Sequence, residues 1–487
     1  MENRDEERRK RLWYIVTGFI LVVLIGWLWV RYAANQRLLS QLDSRDMAVR
    51  VAAARTLLGN GSLADSLPAQ PVKRRADAAA ALARIATPDA MTQLVVLMKD
   101  PENQPQREAS RAFSRIGVKA MKPYLWDLLK EADARVKKAT TDAFVGIGDP
   151  AVPALAKALD DKDRRDTASK AMARIKGPAI PPLLKAAQSK DKGLRGVAIV
   201  ALGEAKAKEA VPIILPALDV PELQQAAIRA LGLIADARAT FKVVPFLTDA
   251  KLRIDAATAL GGIGDNRATS ALVAQLGERE TQFRTRLVWA LQRIGEPTVP
   301  QLAAALHSPD VWVRRAAAQA LTTARVPLAI PALEAALNDP DIEVRAAAAE
   351  GLGWPDNTAG ITPLLTAVND REWQVVDAAL ASLAQVGRPA IPALEGLFTH
   401  GDILKAFYAS RALQGIGQPA VPTLIADLSS ANEEIRSWAA ITLGGIGDKE
   451  AVEPLQKMLA SPSSSPGERY VAREALRHIG VEVPSES

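Results

Sequence analysis

Asp339-Pro340-Asp341-Ile342-Glu343-Val344-Arg345-Ala346-Ala347-Ala348-Ala349-Glu350-Gly351-Leu352 is one copy of a unit that recurs from near residue 46 to the C-terminus. Val313-Arg314-Arg315-Ala316-Ala317-Ala318-Gln319-Ala320-Leu321 and Ile435-Arg436-Ser437-Trp438-Ala439-Ala440-Ile441-Thr442-Leu443 are two of its relatives. Anchoring on the closing apolar residue gives Leu57, Leu82, Phe113, Phe144, Met172, Leu202, Leu231, Leu260, Leu291, Leu321, Leu352, Leu383, Leu413, Leu443 and Leu476. Neighbours in that series lie about 25 to 33 residues apart, the period of a stacked-repeat architecture.

Within one unit, Val313, Ala316, Ala317, Ala320, Leu321 and Ala324 share a helical face. Alanine dominates that stripe, so neighbouring helices can approach closely, and alanine also has the best helix propensity. After a turn, Ile330-Pro331-Ala332-Leu333 opens a second helix, with Pro331 where a missing N–H costs nothing. The same opening recurs at Val152-Pro153, Val211-Pro212, Ile391-Pro392 and Val421-Pro422. Gly148, Gly264, Gly295, Gly417 and Gly447 each follow an isoleucine and read as caps of the first helix. No strand precedes them and no phosphate-cradling motif follows, which sets a nucleotide-loop reading aside. A helix pair this small cannot bury its own face and must stack on copies of itself. The expected fold is therefore all-α: an α-solenoid superhelix of about 14 to 15 helix pairs.

A basic residue stands seven positions before most closing residues: Arg50, Arg75, Lys137, Arg165, Arg195, Arg253, Arg284, Arg314, Arg345, Arg436 and Arg469. Acids such as Asp249, Asp310 and Asp341 precede many of them in the inter-unit loops. This alternation reads as a ladder of ion pairs that sets the register between units, in preference to a basic groove for nucleic acid. The full pattern, Asp-x-x-Val-Arg-x-x-Ala-Ala-x-Ala-Leu-x-x-Ile-Gly-Asp, resembles HEAT repeats of the short type first named for phycobilin lyases. The resemblance covers nearly everything after residue 46 and implies a binding scaffold. Gln106, Gln224, Val376 and Ala406 depart from it by replacing the arginine, and Ala205 and Pro355 by replacing the isoleucine. Such units bend the stack or carry a partner surface.

Apolar residues make up 48% of the 487, ample for a continuous core, and a net charge of +6 does not by itself call for nucleic acid. The absence of cysteine rules out disulfides and thiolate chemistry. Residues 1–11 form a charged segment ending in Arg8-Arg9-Lys10-Arg11, and residues 12–30 then run without a charge. As a helix that run is about 28 Å long, near the hydrocarbon thickness of a bilayer. Trp13 and Tyr14 at one end and Trp27 and Trp29 at the other resemble an interfacial belt, and the run is long for a cleaved signal peptide. The expectation is a single-pass helix in the cytoplasmic (inner) membrane, N-terminus inside, with the repeats on the periplasmic side. An array facing the cytoplasm is the alternative. Residues 31–45 are expected to form a helical stalk, 46–480 the solenoid and 481–487 a frayed tail.

Catalysis needs groups that converge. His307, His400 and His478 are scattered among separate units, no His is followed by Glu, and no nucleophile elbow is present. Asp339, Asp341, Glu343 and Glu350 have calcium-loop spacing, but Val344 stands where that loop needs glycine. No catalytic residue, metal or cofactor is expected. Trp312 and Trp373 fall where the chain enters a first helix, and Trp354 falls at the turn within the unit between them. Exposed loop tryptophans often anchor protein interfaces, so these three are the candidate partner-binding residues. In the competing reading each covers the end of its own helix pair. The expected function is a non-catalytic, membrane-anchored scaffold or adaptor that binds protein partners. The alternative is a bilin-lyase-like or other accessory factor of a cofactor-dependent enzyme, with nucleic-acid binding less favoured and no small-molecule substrate expected.

Overall fold

In this computed structural model the described residues are 23–25, 28–42, 44–117, 124–399 and 402–483. Every regular element among them is a helix. Each repeat is a long first helix (A), a tight turn and a shorter second helix (B), and the chain divides into two compact units, Met1–Ile234 and Ala235–Ser487.

The A helices of the first unit are Met47–Gly59, Val72–Ile85, Asn103–Ile116, Ala134–Ile147, Arg165–Ile175, Lys192–Ala205 and Gln224–Ile234. Those of the second are Arg253–Ile263, Thr281–Ile294, Val311–Leu321, Ile342–Leu352, Trp373–Val386, Ile403–Ile416, Glu433–Ile446 and Pro466–Ile479. A typical repeat starts at Asp310, whose carboxylate accepts the Trp312 N–H at 2.9 Å and so satisfies an amide that the helix leaves unpaired. After Val311–Leu321 comes a 3₁₀ turn, Pro327–Ala329, and then the B helix Ile330–Ala336 with Pro331 in its first turn. The anticipated Pro-bearing openings at Val152, Val211, Ile391 and Val421 all begin helices in the same way.

All of the closing residues from Leu57 to Leu476 are wholly buried. Burying such a side chain stabilises by about 1.5–3 kcal/mol, so this one position contributes a continuous apolar seam within each unit. Ala316, Ala317 and Ala320 of the alanine stripe are buried as expected and Ala324 only partly, but Ala318, outside the stripe, is also at zero exposure. An A helix packs against A helices on two sides and a B helix on a third, as Ile342–Leu352 does, so more than one face is inside.

Successive A helices touch almost backbone to backbone. A Cβ added to Gly203 would lie 2.6 Å from the Ala230 Cα, and one on Gly444 would lie 2.6 Å from the Ala475 Cα. In both cases the residue after one closing leucine meets the residue before the next, which fixes how far one helix slides along its neighbour. The isoleucine-glycine caps also take the expected form: Gly295 ends its helix at φ 82, ψ −143, a region that only glycine visits without strain. Lys176 occupies the same place after Ile175 at φ 62, ψ −148 and carries that strain with a side chain.

The placement at the membrane is corrected. Among the described residues no helix is long and apolar enough to cross a membrane. Residues 28–41 form one helix, but Arg31, Asn35 and Arg37 interrupt its apolar character. Its end is used for packing: Leu39 and Leu42 are wholly buried, and the Asn35 amide donates to the Ser62 hydroxyl at 2.7 Å. Trp29 is described and exposed, whereas Trp13, Tyr14, Trp27 and most of the anticipated 12–30 span lie outside the described residues.

Gly444→Ala is expected to cost about 1–3 kcal/mol, because the Ala475 backbone has no flexible side chain that could give way. Lys176→Gly is expected to stabilise by about 1 kcal/mol or more by releasing a strained backbone. Urea unfolding followed by far-UV circular dichroism reads both.

Candidate partner-binding surface

Most of the basic residues at the ladder position start on A helices and reach forward to the next repeat. Arg345 donates through Nε and Nη2 to the Asp370 carboxylate at 2.7 and 3.0 Å and through Nη1 to the Asp339 carbonyl at 2.9 Å. Arg314 repeats the arrangement with Asp339 at 2.8 and 3.2 Å and the Ser308 carbonyl at 3.0 Å. Arg75 and Asp100 do so at 2.7 and 2.9 Å in the first unit, and Arg436 reaches Glu468 at 2.5 Å. Arg165–Asp191 and Arg253–Glu278 are the same bridge with looser geometry, whereas Arg50 reaches Asp77 within the next A helix itself. One guanidinium thus ties the loop before its own helix to the loop before the next.

The acids that precede each arginine in sequence are mostly not its partners. Asp310 and Asp341 cap their own helices, and Asp341 also receives Arg315 at 2.6 Å. The calcium-like spacing dissolves accordingly: Asp339 holds Arg314, while Asp341 and Glu343 both hold Arg315. Among the described residues no group of three or more His, Asp or Glu side chains could hold a metal ion.

The three candidate tryptophans have different surroundings. Trp312 is half-buried, with the Arg284 guanidinium 4.5 Å and the Arg315 guanidinium 5.1 Å from its ring. Its π faces are occupied by its own chain. Trp354 is half-buried at the turn after Ile342–Leu352. Trp373 is 71% exposed, at the first position of its A helix. It lines an open groove of about 550 Å³ with Arg325, Glu350, Asp377 and Gln385.

The next A helix has exposed apolar residues of its own, which the sequence reading did not single out. Ile403 is 76% exposed at the register position of Trp373, and Leu404 and Phe407 are exposed beside it. A second groove of about 280 Å³ follows, lined by Ile403, Ala406 and Trp438 together with Asp402, Glu433 and Glu434. Trp438 in turn stacks on the buried Phe398, ring centroids 6.3 Å apart. A signal was available in the sequence. These two A helices, Trp373–Val386 and Ile403–Ile416, carry Val376 and Ala406 where the ladder has arginine, and both residues are buried. At these two interruptions of the ladder, large apolar side chains face solvent.

HEAT repeats match as a family over residues 180–250, 242–322, 272–341, 330–407 and 394–477, more than half of the chain. The chain belongs to the HEAT-repeat family. No curated protein matches it. Solved structures similar to this HEAT solenoid include Kap95p in a study of its binding to RanGDP, at 14% identity and a TM-score of 0.39. Kap121p bound to Pho4p is 15% identical with a TM-score of 0.42, and importin beta 14% identical with a TM-score of 0.36. The matches cover 92%, 87% and 92% of this chain and 66%, 55% and 78% of those chains respectively. At those scores the likenesses carry no argument about what these HEAT repeats bind.

Arg345→Ala leaves the Asp370 carboxylate, 12% exposed, without its counter-charge, and is expected to cost about 3–5 kcal/mol. Burial raises the Asp370 pKa, but the Arg345 guanidinium and the Glu372 N–H outweigh it and hold the carboxyl below 3.8. A carboxylate with a depressed folded pKa stabilises in full above its unfolded value and loses that contribution as pH falls through the folded one. Unfolding free energy measured against pH should therefore drop below pH 3.8 in the parent protein, and less steeply in Asp370→Asn.

Proposed function

We propose that this HEAT-repeat chain is a non-catalytic scaffold or adaptor that holds protein partners on the exposed starts of its A helices. The observation that carries the reading is the set of exposed apolar side chains Trp373, Ile403, Leu404 and Phe407 on two successive A helices that pack together. Large apolar side chains grouped on a rigid element, beside grooves that can seat a partner's side chains, are what protein interfaces use as anchors. Asp402, Glu433 and Glu434 border the second groove, which favours a partner whose apolar anchor is flanked by basic residues. Trp373 keeps its role as a partner-binding residue in this proposal. Trp354 remains a candidate at the opposite end of its A helix, and Trp312 is assigned to holding its own repeats together. The accessory-factor reading, with its finer likeness to phycobilin-lyase repeats, has no specific observation in its favour.

The test compares affinity capture from a native extract by the parent protein and by Trp373→Ala/Leu404→Ala/Phe407→Ala. All three side chains are exposed, so the helical circular dichroism signal should be unchanged while specific partners are lost by about tenfold or more. Trp312→Ala should do the reverse, lowering the unfolding midpoint and leaving capture intact. An identical set of captured proteins from the parent and the triple variant would sink the proposal.

A further inference from the structure

The first unit has its own interruption of the ladder, and its chemistry is different. In Asn103–Ile116 the ladder position holds Gln106 instead of arginine. Gln106 is 4% exposed, and its Nε2 is shielded from solvent and donates to no acceptor. A buried donor left unpaired costs about 1–3 kcal/mol, so the site is poised for an acceptor that the chain does not supply.

Gln106 lines a groove of about 290 Å³ between this A helix and the next, Ala134–Ile147. The walls are basic: Arg107, Arg135 and Lys138. Arg107 and Lys138 are the residues directly after the ladder position on neighbouring helices, and both are exposed. Neither has an ion-pair partner among the described residues, whereas the nearby acids are taken. Glu131 holds Lys99, Glu108 holds Arg111, Asp133 caps its helix by accepting the Arg135 N–H at 2.7 Å, and Asp142 holds Arg174 at 2.5 Å, which leaves the exposed Glu102 at the helix start as the exception. Asp142 is the one carboxylate on the groove wall. The Asn103–Ile116 helix starts at Glu102 with no side-chain cap, which adds the positive end of a helix dipole.

Two unpaired cations, a buried amide donor and an uncapped helix start together suit a doubly charged oxyanion with several terminal oxygens. A carboxylate would neutralise one cation and leave the other unmatched. We propose that this groove binds a phosphomonoester or phosphate dianion. Arg107 and Lys138 supply the charge, and the Gln106 amide, once its side chain turns outward from this shielded position, donates the directional hydrogen bond. The site lies in the other compact unit from the apolar surface, so it stands or falls separately from the scaffold reading.

The test is calorimetric titration of the full chain at low ionic strength with inorganic phosphate, O-phospho-L-serine and acetate. One saturable site per chain is expected for the two phosphates, tighter than for acetate. Tighter binding of O-phospho-L-serine than of phosphate would assign the source to a phosphorylated carrier, and the reverse to the free ion. Arg107→Ala and Lys138→Ala, both at exposed positions, should keep the fold and each weaken binding about tenfold. Gln106→Leu should weaken it as well, with the unfolding midpoint measured alongside to verify the fold. Absence of saturable phosphate binding, acetate binding of equal strength, or affinity unchanged in any of the three variants would overturn the assignment.

Discussion

A carboxylate half-buried at the start of a helix is costly unless a cation meets it, and that requirement fixes how one repeat sits on the next. In the second unit Arg314 meets Asp339 and Arg345 meets Asp370, and each guanidinium also binds a carbonyl of the loop it leaves. The bridge is therefore a register device. Apolar burial supplies the stabilisation, through closing residues such as Leu321 and Leu352 at zero exposure. Burial alone would tolerate sliding. The bridge, together with glycine–alanine contacts such as Gly444 on Ala475, does not.

The same device accounts for where the molecule is free to specialise. A repeat such as that of Arg314 or Arg345 uses the start of its A helix to hold a neighbour. A repeat that has lost it no longer directs a guanidinium there, and the neighbouring surface positions carry other chemistry. Around Val376 and Ala406 those positions hold Trp373, Ile403, Leu404 and Phe407, and around Gln106 they hold Arg107 and Lys138. One surface is apolar with acidic edges, the other basic. A solenoid of near-identical bricks can differ from end to end in this way without altering its packing, because exposed positions on A helices contribute little to the stack.

Much of this was legible beforehand. The closing residues, the proline at B-helix starts such as Val152-Pro153 and Ile330-Pro331, and the glycine after isoleucines such as Ile294 and Ile446 are local signals with local causes, and the structure places them as read. Ala318 was not legible, because a one-faced helix pattern misses burial by a third neighbour. Nearness in sequence does not identify the partner of each arginine. Asp310 is nearer to Arg314 in sequence, yet it caps the helix while Asp339 forms the bridge. Trp312 and Trp373 look alike in sequence, at nearly the same place in their repeats. Only the arginines at positions 284 and 315 separate a stacked ring from an exposed one. Hydropathy alone makes the run near the N-terminus look like a span, while among the described residues Leu39 and Leu42 are buried in packing and no membrane-length apolar helix is present.

The sequence by itself determined that this is a stack of two-helix HEAT repeats, since period, apolar face and caps are written within each thirty-residue unit. Tertiary structure alone decided which charges are matched, which aromatic rings are covered and which interruptions of the ladder face solvent. Those depend on contacts between side chains from neighbouring repeats, some 25 to 32 residues apart in the bridges described. No local pattern specifies whether such a contact is made.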